Sequence, residues 1–281
     1  VGQNQAVSIP RDPRAIFYNP APFTRAILRF AVKKSLIKTE EHRMTRILSR
    51  TQPELITCES PILHTGADEK GRYFVVEQTV FYPQGGGQMS DHGSVTQHGQ
   101  SNLVRQALNH GGEVRHYLAD PQVTLEIGQA ATLQIDAEFR CRASLAHTAG
   151  HLIAHVVETL MPSLVPAKGH HFLPGAYVEF TGNSSLAADQ LLEQVRSKVA
   201  QAIEQDLPVT VESLSFDEIA RLRPELAGSI PQNEEMRIVR IGDYVPVACG
   251  GTHAVTTLAL KGLELRKIKA KERVKISYEL A

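Results

Sequence analysis

Residues Glu138–Leu160 read EFRCRASLAHTAGHLIAHVVETL, and this stretch divides the chain in two. It holds no Pro and no turn cluster, and Leu145, Leu152, Val156 and Leu160 mark one face. The pattern predicts an amphipathic helix stopped at Met161-Pro162. Ahead of it the apolar period is two rather than about 3.6. Arg72–Val76 follows the turn signal Asp68-Glu69-Lys70-Gly71, and Thr79–Tyr82 continues the β-rich composition. Further apolar runs come at Val114–Leu118, Val123–Ile127 and Ala131–Ile135, set apart by Gly111-Gly112 and Gly128. Short strands between glycine turns predict a small barrel or sandwich over 44–136.

After the helix, a second one is expected from Leu186 to Gln205, capped by Asn183-Ser184-Ser185. Strands follow at Val209–Leu214 and Met236–Ile241, with a short helix between them opened by the capping box Ser215-Phe216-Asp217-Glu218. Leu263–Leu280 alternates apolar with charged residues and reads as a hairpin or two edge strands. It and Lys261 supply Arg266, Lys267, Lys269, Lys271, Arg273 and Lys275, a strip that either faces phosphate or protects a sheet edge. Helices mixed with strands in irregular order indicate an α+β fold, with a small barrel first and a two-layer α/β unit over 137–281.

The first 43 residues differ from the rest. They carry eight Lys/Arg against three Asp/Glu, in a chain of 281 residues whose formal net charge is zero. Phe23, Ile27 and Phe30 line one side of a short helical pattern while Arg25, Arg29 and Lys33 line another. This is a targeting presequence, a poorly ordered tail, or residues upstream of a body that begins at Met44. The neutral whole-chain charge excludes bulk electrostatics as a route to nucleic acid and leaves local patches. Three widely spread cysteines, Cys58, Cys141 and Cys249, argue against a disulfide framework and for a reducing, cytoplasmic setting. No apolar run reaches membrane-spanning length, so no membrane partner is expected.

His147 and His151 stand at i and i+4 on the helix, with Cβ atoms about 5–6 Å apart. Cys249-Gly250-Gly251-Thr252-His253 brings a thiol and an imidazole to the same spacing on a glycine turn. Cys and His are the usual ligands of Zn²⁺, and H-x3-H with C-x3-H makes four. The H-E-x-x-H protease motif shares the histidine spacing, but Thr148 stands where its glutamate would be. Neither a G-x-S-x-G elbow nor a phosphate-binding G-x-x-x-x-G-K-[ST] loop is present, so no nucleotide cofactor is expected. His155 lies about 80° around the helix from His147 and reads as structural. Gln84-Gly85-Gly86-Gly87-Gln88, inside the strand-rich region, is either a connector or a place of close backbone approach.

Together, His147-Thr148-Ala149-Gly150-His151, the Cys249–His253 turn and the Gln84–Gln88 loop resemble the AlaX family of free-standing alanyl-tRNA editing proteins. The order of these motifs, from Met44 to Ala281, is that of the medium-length type. The resemblance implies an aminoacyl-tRNA deacylase that hydrolyses mischarged tRNA(Ala), carrying serine or glycine, at one Zn²⁺ ion. It implies His147, His151, Cys249 and His253 as metal ligands, with His253 and Thr252 as catalytic neighbours. Gly85, Gly86, Gly87 and Gln88 would meet the tRNA acceptor end. Some members carry Gln before a Lys-Gly pair; here Ala167 precedes Lys168-Gly169, which leaves serine-versus-glycine preference open. His170 and His171 follow and read as exposed loop histidines. Two rivals stand beside this reading: a non-catalytic tRNA-binding module with a structural zinc, and a metal-dependent hydrolase of small molecules.

Overall fold

The computed structural model describes residues 44–222, 235–270 and 273–280. The basic stretch 1–43 and Lys271 lie outside them.

Among the described residues, fifteen strands and three helices run in the order β1 (Arg46–Ile47), β2 (Thr57–Asp68), β3 (Gly71–Val76), β4 (Gln78–Thr79), β5 (Gly93–Gln97), β6 (Gln100–His110), β7 (Glu113–Leu118), β8 (Ala130–Ile135), α1 (Ala137–Leu160), β9 (Val165–His170), β10 (Ala176–Thr181), α2 (Ala188–Glu204), β11 (Val209–Leu214), α3 (Phe216–Leu222), β12 (Met236–Ile241), β13 (Val247–Ala248), β14 (Leu263–Ala270) and β15 (Val274–Leu280). The fold is α+β, with a closed barrel first.

Strands β2-β3-β7-β6-β5-β8 close that barrel, and the β2–β8 seam pairs Thr57 with Gln134. Its interior is filled by Ile62, Phe74, Val76, Val95, Val104 and Leu133, all sealed from water. The two longest strands, β2 and β6, escape a reading by alternation. Each contains a register shift, between Ile62 and His64 and between Val104 and Gln106, which throws the apolar residues out of phase.

Two expected strands do not form as read. Val123–Ile127 is irregular: Glu126 donates its N–H to Gln97 Oε1 at 2.7 Å and accepts from Gln97 Nε2 at 3.1 Å. One side-chain amide thus does what a ladder neighbour would. Of Thr79–Tyr82, only Thr79 is in a strand; the Phe81 and Tyr82 N–H groups donate to Thr79 Oγ1 at 3.1 Å and Asp91 Oδ2 at 2.6 Å.

Helix α1 starts where Asp136 accepts the Phe139 N–H at 2.9 Å. Its face of Leu152, Ile153, Val156 and Val157 packs with α2 over the antiparallel sheet β14-β15-β10-β9. Helix α2 begins after Ala187 without a side-chain cap, later than expected. Ser184 instead accepts the Leu186 N–H at 3.1 Å, in the loop before it. At α3 the Glu218 carboxylate reaches back to the Ser215 N–H at 2.8 Å, the expected half of a capping box. Strands β11-β12-β13 form a second sheet, whose last rung pairs Ile238 with Ala248.

The first turn of α1 is locked to the barrel by Arg140. Its Nε donates to both oxygens of Asp91 at 3.0 Å, and its two terminal nitrogens reach Val80 O at 2.7 Å and Pro53 O at 3.1 Å. Both charges are buried, so losing either partner would cost about 3–5 kcal/mol. This clamp fixes where the barrel loops meet α1.

Candidate metal centre

Two elements deliver four donors to one point. His147 and His151 come from α1; Cys249 follows β13 directly, its N–H donating to Arg237 O at 3.2 Å, and His253 ends the same turn. The ligand atoms of His147, His151, Cys249 and His253 all lie within 4.8 Å of one another. Cys249 Sγ is 3.5 Å from His147 Nε2 and 3.4 Å from His253 Nε2. Such a set can hold one metal ion.

The second ring nitrogens explain why these donors point inward. Gln88, fully buried, accepts the Thr252 N–H at 3.0 Å through Oε1, which fixes the direction of its amide. That same oxygen lies 2.8 Å from His147 Nδ1, so Nδ1 carries the proton and Nε2 offers its lone pair to the cluster. Thr148 works likewise for His253. Its hydroxyl donates to Ser144 O at 2.8 Å and lies 3.1 Å from His253 Nδ1, which therefore donates. His151 Nδ1 is buried without a hydrogen-bond partner. Three imidazoles and a thiol converging on one point are the donor set that Zn²⁺ takes.

Loss of water holds the imidazoles neutral, which is the ligating form. Burial first, then mutual repulsion with His253 and other neighbours, pushes His147 and His151 well below the usual histidine range. Burial, and after it Arg237, brings His253 down to about 3. Burial raises the Cys249 thiol, while the Gly251 N–H and Arg237 pull it back. A thiol so placed needs a cation beside it to ionise fully.

Glycines make the room. A Cβ on Gly251 would stand 2.2 Å from the His147 ring, and one on Gly150 would stand 2.1 Å from the His171 ring. Gly87, at φ +77°, puts its Cα face against Gly169, where a Cβ would meet the carbonyl oxygen at 2.5 Å. Its own carbonyl accepts the His171 N–H at 2.8 Å. The glycine loop is therefore a place of close backbone approach, not a free connector. Gly85 and Gly86 remain exposed, and Gly86 borders a cavity of about 310 Å³ shared with Gly150, His151, Gly169, His171 and Val247. A larger groove of about 650 Å³ between α2 and β14 contains none of the donors.

Two expected site residues serve the cluster by bracing it. Gln88 is buried and holds His147. The Thr252 hydroxyl accepts from Gln88 Nε2 at 2.8 Å and lies 2.7 Å from Ser144 Oγ, whose own proton goes to Arg140 O. Thr252 is thus spent on the brace, with no hydrogen left for another group.

His171 is the residue that sequence reasoning missed. It is buried rather than exposed, and its ring stacks on His147 at 4.7 Å between centroids. The Tyr278 hydroxyl donates to Ala146 O at 2.8 Å and so accepts from His171 Nδ1 at 2.6 Å. Nε2 is left as an acceptor on a ring that burial keeps down at about 4. The available signal was Gly150: a glycine inside a helix costs about 1 kcal/mol against Ala and marks a close approach. His155 is off the cluster, as read, and stacks on Tyr244 at 5.4 Å.

Residues 35–139 match the family model described as class II (A) tRNA synthetases. The chain is 31% identical over 210 residues to the alanyl-tRNA editing protein AlaX-L of Pyrococcus horikoshii, covering 73% of this chain and 50% of that protein. It is 28% identical over 257 residues to the alanine–tRNA ligase of Akkermansia muciniphila, covering 86% of this chain and 26% of the ligase. The threonine–tRNA ligase of Nitrosococcus oceani is 29% identical over 174 residues, 59% of this chain and 26% of that enzyme. The chain spans half or less of the length of each of these relatives.

Proposed function

This chain is a relative of the AlaX-type alanyl-tRNA editing proteins, and from that premise we propose that it hydrolyses the ester joining a wrong amino acid to tRNA(Ala). Serine is the first substrate and glycine the second, in translation quality control in the cytoplasm. The observation that carries the reading is the donor quartet, one of whose members, His151, lines a small cavity shared with Gly86, Gly150 and Gly169. A pocket built for alanine discriminates against an added hydroxyl or a missing methylene by only about 1–3 kcal/mol, so a second, hydrolytic site is chemically warranted.

One Zn²⁺ ion held by His147, His151 and Cys249, with His253 as fourth donor, would polarise the ester carbonyl or supply an acidified water. The protein's own part is orientation. Gln88 and Thr148 hold the tautomers of His147 and His253, which supports His253 as a ligand over a proton carrier. Gly86 leaves the cavity border open to the acceptor end, Gly150 and Gly169 make room for the His171 ring, and His171 Nε2 offers an acceptor to the bound aminoacyl group. Each purified variant is to be incubated with Ser-, Gly- and Ala-tRNA(Ala). The parent should release serine far faster than alanine, and Cys249→Ala should not; equal rates for parent and variant, or none above the spontaneous rate, defeat the proposal.

One observation favours a second reading, a tRNA-binding module with a structural zinc. All four donors are close enough to close the coordination shell, and Thr252 offers no free hydroxyl. That module would bind tRNA(Ala) without cleaving it and would unfold on chelation.

A further inference from the structure

We propose that the solvent face of the β14-β15-β10-β9 sheet is a docking platform for the unpaired 3′ end of an RNA. Strand β9 joins it to the donor cluster. The proposal rests on the editing reading and adds the surface that delivers the substrate.

Strand alternation turns Gly169 and His171 toward the cavity and Lys168 and His170 the other way, with Lys168 also at the cavity rim. Two cross-strand rows follow from the register. One is Lys168, Glu179, Lys275 and Lys269; the other is His170, Tyr177, Ser277 and Lys267. Their neighbours Val178, Ile276, Tyr278 and Ile268 are buried against the helices, so the rows face solvent.

The rows combine cations with rings. His170 stacks on Phe172 at 4.5 Å and lies 5.0 Å from Tyr177, and Lys275 Nζ stands 3.1 Å over the Tyr177 ring. Arg273 is paired with Glu179, and Arg266 with Glu264 and Glu279. Among the described residues, Lys168, Lys267, Lys269 and Lys275 have no carboxylate partner. Edge protection accounts for lysines on β14 and β9, the outer strands. It does not account for Lys275, which sits on the interior strand β15, or for the rings beside it. Unpaired lysines around stackable rings are the chemistry of single-stranded nucleic acid: ammoniums for phosphates, aromatic faces for bases.

The test measures binding of a fluorescent acceptor-stem hairpin with an unpaired 3′ end, and of its blunt counterpart, across a salt series. Lys267→Ala/Lys269→Ala/Lys275→Ala should weaken binding and flatten the log–log salt slope by about 2, at about 0.7 per phosphate lost on a single strand. Lys→Arg at the same positions should restore it. His170→Ala/Tyr177→Ala should weaken binding roughly ten-fold and abolish the preference for the unpaired end, with Tyr177→Phe keeping it. An unchanged slope in the lysine variant, equal binding of blunt and unpaired RNA by the parent, or equal capture of anionic lipid vesicles overturns the platform. A parent that binds the unpaired end on these residues but cleaves no Ser-tRNA(Ala) keeps the platform and removes the editing reading alone.

Discussion

His116 in the barrel and His147 on α1 are both sealed from solvent, 0% and 1% exposed, yet they do opposite things with their nitrogens. His116 spends both inside its own barrel. Nε2 lies 2.8 Å from Thr79 Oγ1, Nδ1 lies 3.3 Å from Phe74 O, and the ring stacks on Phe74 at 4.9 Å. His147 spends Nδ1 on Gln88 and turns Nε2 toward a thiol and two more imidazoles. Burial alone therefore marks no site. What distinguishes the two regions is whether the unspent lone pairs converge.

The sharpest way to break this comparison is to remove a converging donor. Cys249→Ala should drop bound metal to background and lower Ser-tRNA(Ala) cleavage by more than the roughly 100-fold typical of outer-shell losses. His116→Phe should keep its metal, as read by elemental analysis. Metal retained by Cys249→Ala would mean that the four donors do not act as a set.

Next comes the clamp between the regions. Arg140→Ala should cost about 3–5 kcal/mol in urea unfolding, because Asp91 is left charged and buried. Arg140→Leu/Asp91→Leu should recover part of that loss. Equal stability of Arg140→Ala and the parent would show that the buried pair carries no weight.

The pH response of the barrel histidine has a definite sign. Burial holds His116 at about 4, below its ordinary 6.5, so the unfolded chain binds the extra proton more readily. Its contribution is whole above pH 6.5 and lost as pH falls through 4, up to about 3 kcal/mol at about 1.4 kcal/mol per unit. Thermal melts of the parent should show this acid loss, and His116→Phe, though less stable at neutral pH, should show a smaller one. A variant as acid-sensitive as the parent assigns the loss elsewhere.

Gln88→Leu should weaken metal binding about 10–100-fold while leaving all four ligands in place. The smallest effect is expected of Tyr278→Phe, about 1–3 kcal/mol, because it removes the hydrogen bond to Ala146 O and leaves buried His171 Nδ1 without its acceptor. A Gln88 variant with parental affinity would show that the His147 tautomer needs no holding.

What could be read in advance follows from the range of the interactions. Helix α1 and strands β11 and β12 were legible because an uninterrupted period fixes them locally. The two halves of the donor set were legible because ligand spacing is a property of a few consecutive residues. Strands β2 and β6 were hidden by bulges, and the Val123–Ile127 segment was misread because Gln97, from another strand, satisfies its backbone. The depth of Gln88 and His171 depends on contacts across distant segments, Gln88 to Thr252 and His171 to Tyr278, which no local pattern records.

The Arg140 guanidinium has a consequence for how such a unit can be inherited or rebuilt. Its hydrogen bonds leave the helix entirely and end on barrel groups, while the barrel sends Gln88 back to hold His147. A chain cut at Ala137 would give one fragment with a bare buried carboxylate and another with a bare guanidinium and an unheld ligand. Split halves expressed together should therefore find each other or fail separately, and a transplant into another protein would have to carry both as one cassette.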